Sequence, residues 1–240
     1  MGRAFEYRKE RKMKRWGMMS KMFTKIGREI SIAVKEGGAD PSTNARLRIA
    51  IQNSKACNMP KATVDAAVKR ATSKDEKDLE ELVYEGYGPH GVAILIECLS
   101  DNSTRTVANM RLYLSRANGA LGTSGSVAYM FERKGEFRIP LGEWKMDDLE
   151  MALIDGGADE IEPSEGENGE KEVYVYTKYE DFGLMQQTLE ALNIEVLEAS
   201  LQRFPTSTKE LTEAQREDIE RLLEKIEDDD DTQKVFHTMA

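Results

Sequence analysis

The sequence predicts an α+β protein, with an N-terminal helical domain followed by two α/β domains, the middle one completed by the C-terminal helix. Residues 1–78 carry apolar side chains at three- and four-residue spacing, which is typical of amphipathic helices. From about residue 79, short runs of β-branched and aromatic residues indicate strands. Residues 134–204 then follow the order strand, helix, strand, strand, helix, strand, which is the split βαβ order of a ferredoxin-like domain.

The first domain, residues 1–78, is predicted to contain three helices. Gly37-Gly38 ends the first helix, and Pro60 suits the first turn of the third. The residues expected on the packed faces of the helices are Phe23, Ile26, Ile30 and Val34, then Leu47, Ala50, Ile51 and Ser54, then Val64, Ala67, Val68 and Ala71. Three short amphipathic helices would form a small bundle of marginal stability.

The middle domain is predicted to be discontinuous, with residues 79–133 joined by residues 205–240. The first segment supplies strands at 82–84, 92–99 and 127–131 (Val127, Tyr129 and Phe131 alternate) and one helix after the capping residues 101–103. The second segment supplies a helix, marked by a capping box at Thr212 and Gln215. Because three strands with one helix leave a sheet uncovered, we expect this last helix to pack on that sheet.

The third domain, residues 134–204, is predicted to place two helices on one face of an antiparallel sheet. The strands are expected at 137–139, near Ile161, at 173–176 and at 194–201, and the helices at 146–153 and 184–192. These elements give the domain its ferredoxin-like order.

Composition indicates a folded protein of a reducing compartment. The longest apolar run, Val92 to Ile96, is far below the ~20 residues that span a bilayer. Charged residues recur near the N-terminus without an apolar stretch behind them, so no secretory signal is predicted. Cys57 and Cys98 are too far apart in sequence to suggest a metal knuckle or a disulfide framework. We therefore expect a cytoplasmic protein with no metal and no cofactor.

The charge is strongly polarised along the chain. The first 75 residues carry 18 Lys and Arg against 7 Asp and Glu, a balance of +11, whereas the other 165 carry 16 against 37, a balance of −21. Such asymmetry is typical of proteins that meet nucleic acid, because cations that neutralise phosphates release condensed counterions. The residues predicted to contact phosphate are Arg8, Lys9, Arg11, Lys12, Arg15, Lys21, Lys25, Arg28, Arg46, Arg48 and Lys61.

Two plainer interpretations of these basic residues remain open. They can form a solvated helix face, or a surface that docks on the acidic domains of the same chain. Phe5, Tyr7 and Trp16 lie among them and suit stacking on unpaired bases, although packing against a neighbouring helix explains Trp16 more simply.

The remaining motifs do not indicate catalysis. The glycine-rich segments 86–91 and 122–126 lack the strand-to-helix context of a phosphate-binding loop, so we interpret them as tight turns. Residues 227–231 form an acidic run whose spacing fits no calcium-binding loop, and we interpret it as a solvated link. His90, Asp101, Asn102 and Arg105 are the residues around which a hydrolase hypothesis could be built, with helix capping as the simpler account.

The chain resembles the YebC/PmpR family, also called the DUF28 family, throughout its length. The resemblance is carried by ordered motifs that cover most of residues 20–135: Phe23-Thr24-Lys25, Arg28-Glu29-Ile30, Gly37-Gly38, Asp40-Pro41, Asn44-Ala45-Arg46-Leu47-Arg48, Ala56-Cys57-Asn58-Met59-Pro60-Lys61, Tyr84-Glu85-Gly86-Tyr87-Gly88-Pro89, Glu97-Cys98-Leu99-Ser100-Asp101-Asn102, Arg105-Thr106 and Leu121 through Ser126-Val127 to Phe131. The chain departs from the family pattern at His90, where a glycine is usual, and in its first residues, which lack the family's histidine.

The resemblance implies three domains, an N-terminal helical one and two ferredoxin-like α/β ones. It also implies a cytoplasmic location and no known enzymatic activity. Members of the family, which includes the mitochondrial translational activator of cytochrome c oxidase, are described as DNA-binding transcriptional regulators or as factors that relieve stalled ribosomes. We therefore expect a non-enzymatic, DNA-binding transcriptional regulator, with a ribosome-associated factor that binds ribosomal RNA as the alternative. The expected partners are promoter DNA or ribosomal RNA, with RNA polymerase or the ribosome beside them; we expect a monomer and no membrane contact. A protein adaptor whose basic domain binds an acidic partner is a third class.

Overall fold

The computed structural model describes residues 3–73, 78–166 and 169–240, with the side chains of the first helix described from residue 20 onward. Three helices open the chain: α1 (Arg3–Gly37), α2 (Ala45–Ala56) and α3 (Lys61–Ala71). Their shared core is built from the predicted faces, with Ile30 and Leu47 fully buried among Val34, Ala50, Val64, Ala67 and Ala71. The apolar spacing of the sequence therefore located this core correctly.

Asn44 holds the junction between α1 and α2. Its side-chain amide donates hydrogen bonds to the carbonyls of Ala33 (2.6 Å) and Gly38 (2.8 Å), while its Oδ1 accepts from the backbone N–H of Leu47 (3.0 Å) and caps α2. The amide packs so closely that a Cβ on Gly37 would lie 2.7 Å from Asn44 Cγ. A buried side chain that satisfies three backbone groups fixes the angle at which the chain turns.

The first sheet has four antiparallel strands in the order β3-β1-β2-β8: β1 (Glu80–Tyr87), β2 (Ala93–Ser100), β3 (Ala120–Leu121) and β8 (Thr232–His237). On one face, helices α4 (Ser103–Arg116) and α7 (Glu213–Glu227) pack against Ile94, Ile96 and Cys98 of β2. On the other face Ala93 and Leu95 pack against Val127, Phe131 and Phe236. The first half of β2 is buried on both faces, which explains the apolar run from Val92 to Ile96.

One sequence prediction in this region is wrong, and one strand was not predicted. Val127, Tyr129 and Phe131 do not alternate along one strand: residues Ala128–Met130 form a 3-10 turn that leaves Tyr129 75% exposed. The backbone N–H groups of Val127 and Ala128 are taken by the Glu85 carboxylate (2.8 Å each), so they cannot join a strand ladder. The third strand is instead the two-residue β3, and the sheet is completed by β8, which the sequence analysis did not predict.

The second sheet has the order β5-β6-β4-β7, again antiparallel throughout: β4 (Phe131–Pro140), β5 (Ala158–Glu165), β6 (Lys171–Lys178) and β7 (Glu198–Pro205). Helices α5 (Met146–Ile154) and α6 (Phe182–Ala191) contribute Leu149, Leu153, Met185 and Leu189 to its core. The α+β class and the βαββαβ order are thus confirmed. The strand expected from residue 194 begins later, because Asn193 turns with φ of 55° and Ile194 N–H bonds back to Leu189.

The helical unit docks on the second sheet through α2. Asn53 pairs with Ala199 of β7 in both directions, its Nδ2 donating to the carbonyl (2.8 Å) and its Oδ1 accepting from the N–H (3.0 Å). Ile49 packs beside this pair on the core of the second sheet. In the described ranges, no helix is both long enough and apolar enough to cross a membrane.

We expect Asn44→Ala to lower the free energy of unfolding by about 1–3 kcal/mol, because it removes the side-chain hydrogen bonds to two carbonyls and one N–H at a buried junction. Thr43→Ala is the matched control: its exposed hydroxyl makes one long bond, to Asp40 O at 3.3 Å, so the loss should stay within about 0.5 kcal/mol. Urea unfolding followed by circular dichroism measures both. Equal losses in the two variants would contradict the structural role of Asn44.

Candidate nucleic-acid interface

The acidic run at residues 227–231, which we name the acidic turn, connects α7 to β8. Its last member, Asp231, is buried, with a side chain only 3% exposed. The turn is held in shape by Asp229, whose Oδ1 accepts from Asp231 N–H (3.0 Å) and whose backbone carbonyl accepts from Thr232 N–H (3.0 Å). The interpretation of this run as a solvated link is therefore wrong for Asp231, because the fold closes over that carboxylate.

Asp231 receives hydrogen bonds from four side chains on three separate elements. Arg28 of α1 donates to its Oδ1 (2.8 Å), and Arg105 of α4 donates to its Oδ2 (2.8 Å). The hydroxyls of Ser100 (3.0 Å) and Thr106 (2.7 Å) also donate to Oδ2. A buried carboxylate with two guanidinium partners and two hydroxyl donors is fully compensated.

This environment lowers the pKa of Asp231. Burial on its own raises the pKa of the carboxyl, but the hydrogen bonds from Arg105, Arg28, Thr106 and Ser100 together outweigh burial, and the pKa falls from 3.8 to about 2. The carboxylate is therefore charged at every physiological pH and contributes to stability in that form.

Three predicted phosphate contacts of α1 lie against the acidic turn and the start of β8. Lys21 forms an ion pair with Asp228, in which both side chains are 45% exposed. Lys25 Nζ donates to the carbonyl of Gln233 (3.3 Å), and burial lowers the pKa of this lysine while Glu227 raises it. Arg28 is bound by Asp231 and by the carbonyl of Leu99. Of the plainer interpretations weighed for these residues, docking on an acidic domain of the same chain describes the geometry.

The other predicted contacts are distributed differently. Arg46 forms ion pairs with Glu29 (2.9 Å), Glu36 (2.8 Å) and Glu81. Arg48 lies 3.0 Å from Glu190 and donates to Pro41 O (2.9 Å). Lys61, at the start of α3, is exposed and has no ion pair with any residue that the structure describes. The side chains of Arg8, Lys9, Arg11, Lys12 and Arg15 lie outside the described residues.

A cleft of about 1170 Å³ opens beside the Arg28–Asp231 contact, between α1, α3, α4 and the acidic turn. Arg28, Arg70 and Arg105 bring guanidinium groups to its lining, and the acidic turn supplies carboxylates. Sequence reasoning missed Arg70 and Asp231 as members of this site. Because Asp231 follows Arg28 by 203 residues, no local spacing connects them.

The two features that suggested other functions are accounted for by internal contacts. The N–H groups at the glycine-rich segment 122–126 are not free to bind a phosphate, because the Glu85 carboxylate accepts from Gly125 N–H (2.7 Å) and from the N–H groups of Val127 and Ala128. His90, with φ of 60°, bonds to Asp218 of α7 (3.0 Å). Strand β2 separates His90 from Asp101 by about 23 Å at the usual rise per residue, so the residues of the hydrolase hypothesis do not meet in one site.

Together these observations define a class: a modular α+β protein in which a cationic helical unit is held against acidic α/β units. The chain belongs to the TACO1/YebC family. The family's N-terminal domain matches residues 3–74, and its second and third domains match residues 79–239. The predicted family resemblance is thereby confirmed.

Relatives and a solved structure extend along nearly the whole chain. A "probable transcriptional regulatory protein" of Flavobacterium psychrophilum is 53% identical over 239 residues, covering 100% of this chain and 99% of its own length. One of the same description from Porphyromonas gingivalis is 51% identical, covering 100% and 97%. A conserved hypothetical protein from Aquifex aeolicus, solved by crystallography, is 34% identical with a TM-score of 0.77, covering 92% of this chain and 90% of that one. The relatives from Flavobacterium psychrophilum and Porphyromonas gingivalis both carry the name of a probable transcriptional regulator.

We expect Asp231→Asn to lower the free energy of unfolding by about 2 kcal/mol at neutral pH, because the hydrogen bonds that lower the pKa of Asp231 stabilise the charged form in the folded protein. Since the folded pKa lies below the unfolded one, this stabilisation is present above about pH 4 and disappears as pH falls toward 2. Denaturant titrations of both proteins across that range should show their difference shrinking. A difference that stays constant with pH would contradict the role of the charge.

Proposed function

We propose that this protein is a DNA-binding transcriptional regulator without enzymatic activity, which holds the phosphate backbone with its N-terminal helical domain. The observation that carries the proposal is the partition of charge: a balance of +11 in the first 75 residues against −21 in the rest. Cations concentrated on one unit give an electrostatic footprint for a polyanion, while acidic units repel it and restrict its orientation. The regulator names of the relatives support the same assignment.

The proposed contacts serve affinity and positioning. Lysine and arginine on phosphate carry no sequence information by themselves. Arg8, Lys9, Arg11, Lys12 and Arg15 are the first contacts in this proposal, joined by the exposed Lys61. Lys21, Lys25 and Arg28 follow them along α1, although their described partners are internal. We place this activity in the cytoplasm, with RNA polymerase as the protein beside the bound DNA.

A second candidate is a ribosome-associated translation factor that binds ribosomal RNA. Phe5, Tyr7 and Trp16 lie among the basic residues of the N-terminal sequence, an interleaving that suits stacking on unpaired bases. Crosslinking in cells, with the bound polymer sorted into promoter DNA and ribosomal RNA, separates the two candidates. Recovery of neither polymer would count against both.

The test of polyanion binding is a salt titration with labelled duplex DNA. If about six of the basic residues contact phosphate, log K should fall against log salt with a slope of roughly −5. Replacing Arg8, Lys9, Arg11 and Lys12 together by alanine should make that slope shallower by about 3 to 4.

The matched control replaces four basic residues on the other units by alanine: Arg111, Arg116, Lys145 and Lys225. All four are exposed, and none has an ion pair within the described part of the chain. This variant changes the net charge by the same amount, so its slope should change by less than about 1. Equal slopes for the two variants would show that binding depends on net charge rather than on the N-terminal domain.

A further inference from the structure

We propose that the acidic turn is an intramolecular substitute for nucleic acid: it occupies the Lys21, Lys25 and Arg28 face of α1, and a polyanion must displace it to reach that face. The inference rests on the proposed function and adds its regulation. It predicts a closed protein in which part of the binding helix is masked, and an open one in which the full stripe is available.

The geometry of α1 supports this masking. Residues 21, 25 and 28 are spaced by four and three, so they form one stripe on a helix. Each member of the stripe contacts residues 227–233. Lys21 pairs with Asp228, and Arg28 pairs with Asp231. Lys25 lies near Glu227 and donates to the carbonyl of Gln233. Carboxylates replace phosphates as the anionic partners of the two outer members.

The two ion pairs that hold the stripe differ in strength, so the stripe can be released from its Lys21 end. The Lys21–Asp228 pair is half exposed, and exposed pairs are weak and screened by salt. The Arg28–Asp231 pair is stronger because Asp231 is almost fully buried. A polyanion that arrives along the preceding turns of α1 therefore meets the weak pair first.

Asp231 can lose Arg28 without becoming an uncompensated buried charge. Arg105, Ser100 and Thr106 all continue to donate to it. The acidic turn thus keeps its own anchor on α4 and β2 when α1 leaves. The cleft beside Arg28 gives a phosphate chain open space on that flank, where a Cβ added to Gly27 would meet no atom within 4 Å.

The consequence for binding is a reduced apparent affinity, set by the fraction of molecules in the open state. Asp228→Asn removes the anionic partner of Lys21. Glu220→Gln removes one negative charge on α7, outside the acidic turn, from an exposed side chain that has no hydrogen bond or ion pair within the described residues. The two variants have equal net charge, so any difference between them reports the contact.

We expect Asp228→Asn to bind labelled duplex DNA about two- to fivefold more tightly than Glu220→Gln at low salt, with the difference vanishing as salt screens the pair. Fluorescence anisotropy measures both affinities. Equal affinities of the two variants at low salt would overturn the masking role of the acidic turn.

A second experiment locks the closed state. Lys21→Cys and Asp228→Cys are combined and joined by a short cleavable bismaleimide; Cys57 and Cys98 are buried, which protects them from the reagent. The linked protein should bind duplex DNA at least about fivefold more weakly than the same protein after cleavage. Equal binding before and after cleavage contradicts displacement.

The outcomes separate the inference from the function on which it rests. If the wild-type protein binds duplex DNA with a salt dependence that the N-terminal alanine variant weakens, the proposed DNA binding stands whatever the lock does. If no variant binds DNA or RNA, the function fails and the masking fails with it.

Discussion

The buried contact between Arg28 and Asp231 is the interaction on which the arrangement of this molecule depends. It joins the first helix to a turn 203 residues later in the chain, and it does so at a carboxylate that α4 and β2 also hold. Asp231 needs a cationic partner, since a buried charge without partners costs several kcal/mol, and both Arg28 and Arg105 supply one. The position of the helical unit relative to the first sheet follows from where those guanidinium and carboxylate groups can meet.

The second constraint is that carboxylates of this chain occupy groups that could otherwise bind an anion from solution. The Glu85 carboxylate accepts hydrogen bonds from backbone N–H groups of a glycine-rich turn. The acidic turn forms ion pairs with Lys21 and Arg28 on α1. In both places groups that are able to bind phosphate have a carboxylate of the same chain as their partner. Positive charge along a sequence is therefore evidence of a capacity to bind anions, and the fold decides how much of that capacity is open to solvent.

The sequence predicted what local periodicity encodes. The helices around Ile30, Leu47 and Val64, the capping box at Thr212 and the βαββαβ unit all follow from spacing within a few residues. The errors concern elements that depend on contacts between distant parts of the chain. Strand β8 pairs with β2 across more than 130 residues, and the turn at 128–130 is fixed by a carboxylate some 40 residues earlier, so neither leaves a local signal.

The sequence indicated only the basic residues of the candidate site. Arg28 could be singled out because it lies in a cationic run. The motif at Asp101–Arg105 could be recognised as a cap, which the hydrogen bond that Arg105 N–H donates to Asn102 Oδ1 confirms. Asp231, their common partner, looked like one member of a solvated tract. The sequence of such a run does not indicate which carboxylate is buried, because burial depends on the strand that follows and on the helices packed against it.

The late position of strand β8 has a consequence for the order of folding during synthesis. The second sheet is complete once Pro205 has emerged, so that unit can form while the chain is still being made. The first sheet must wait for α7 and β8, the last of its elements to leave the ribosome. Until then the exposed edge of β2 and the cationic face of α1 lack their partners, so the nascent chain passes through a stage in which its attraction for the polyanionic surface around it is strongest.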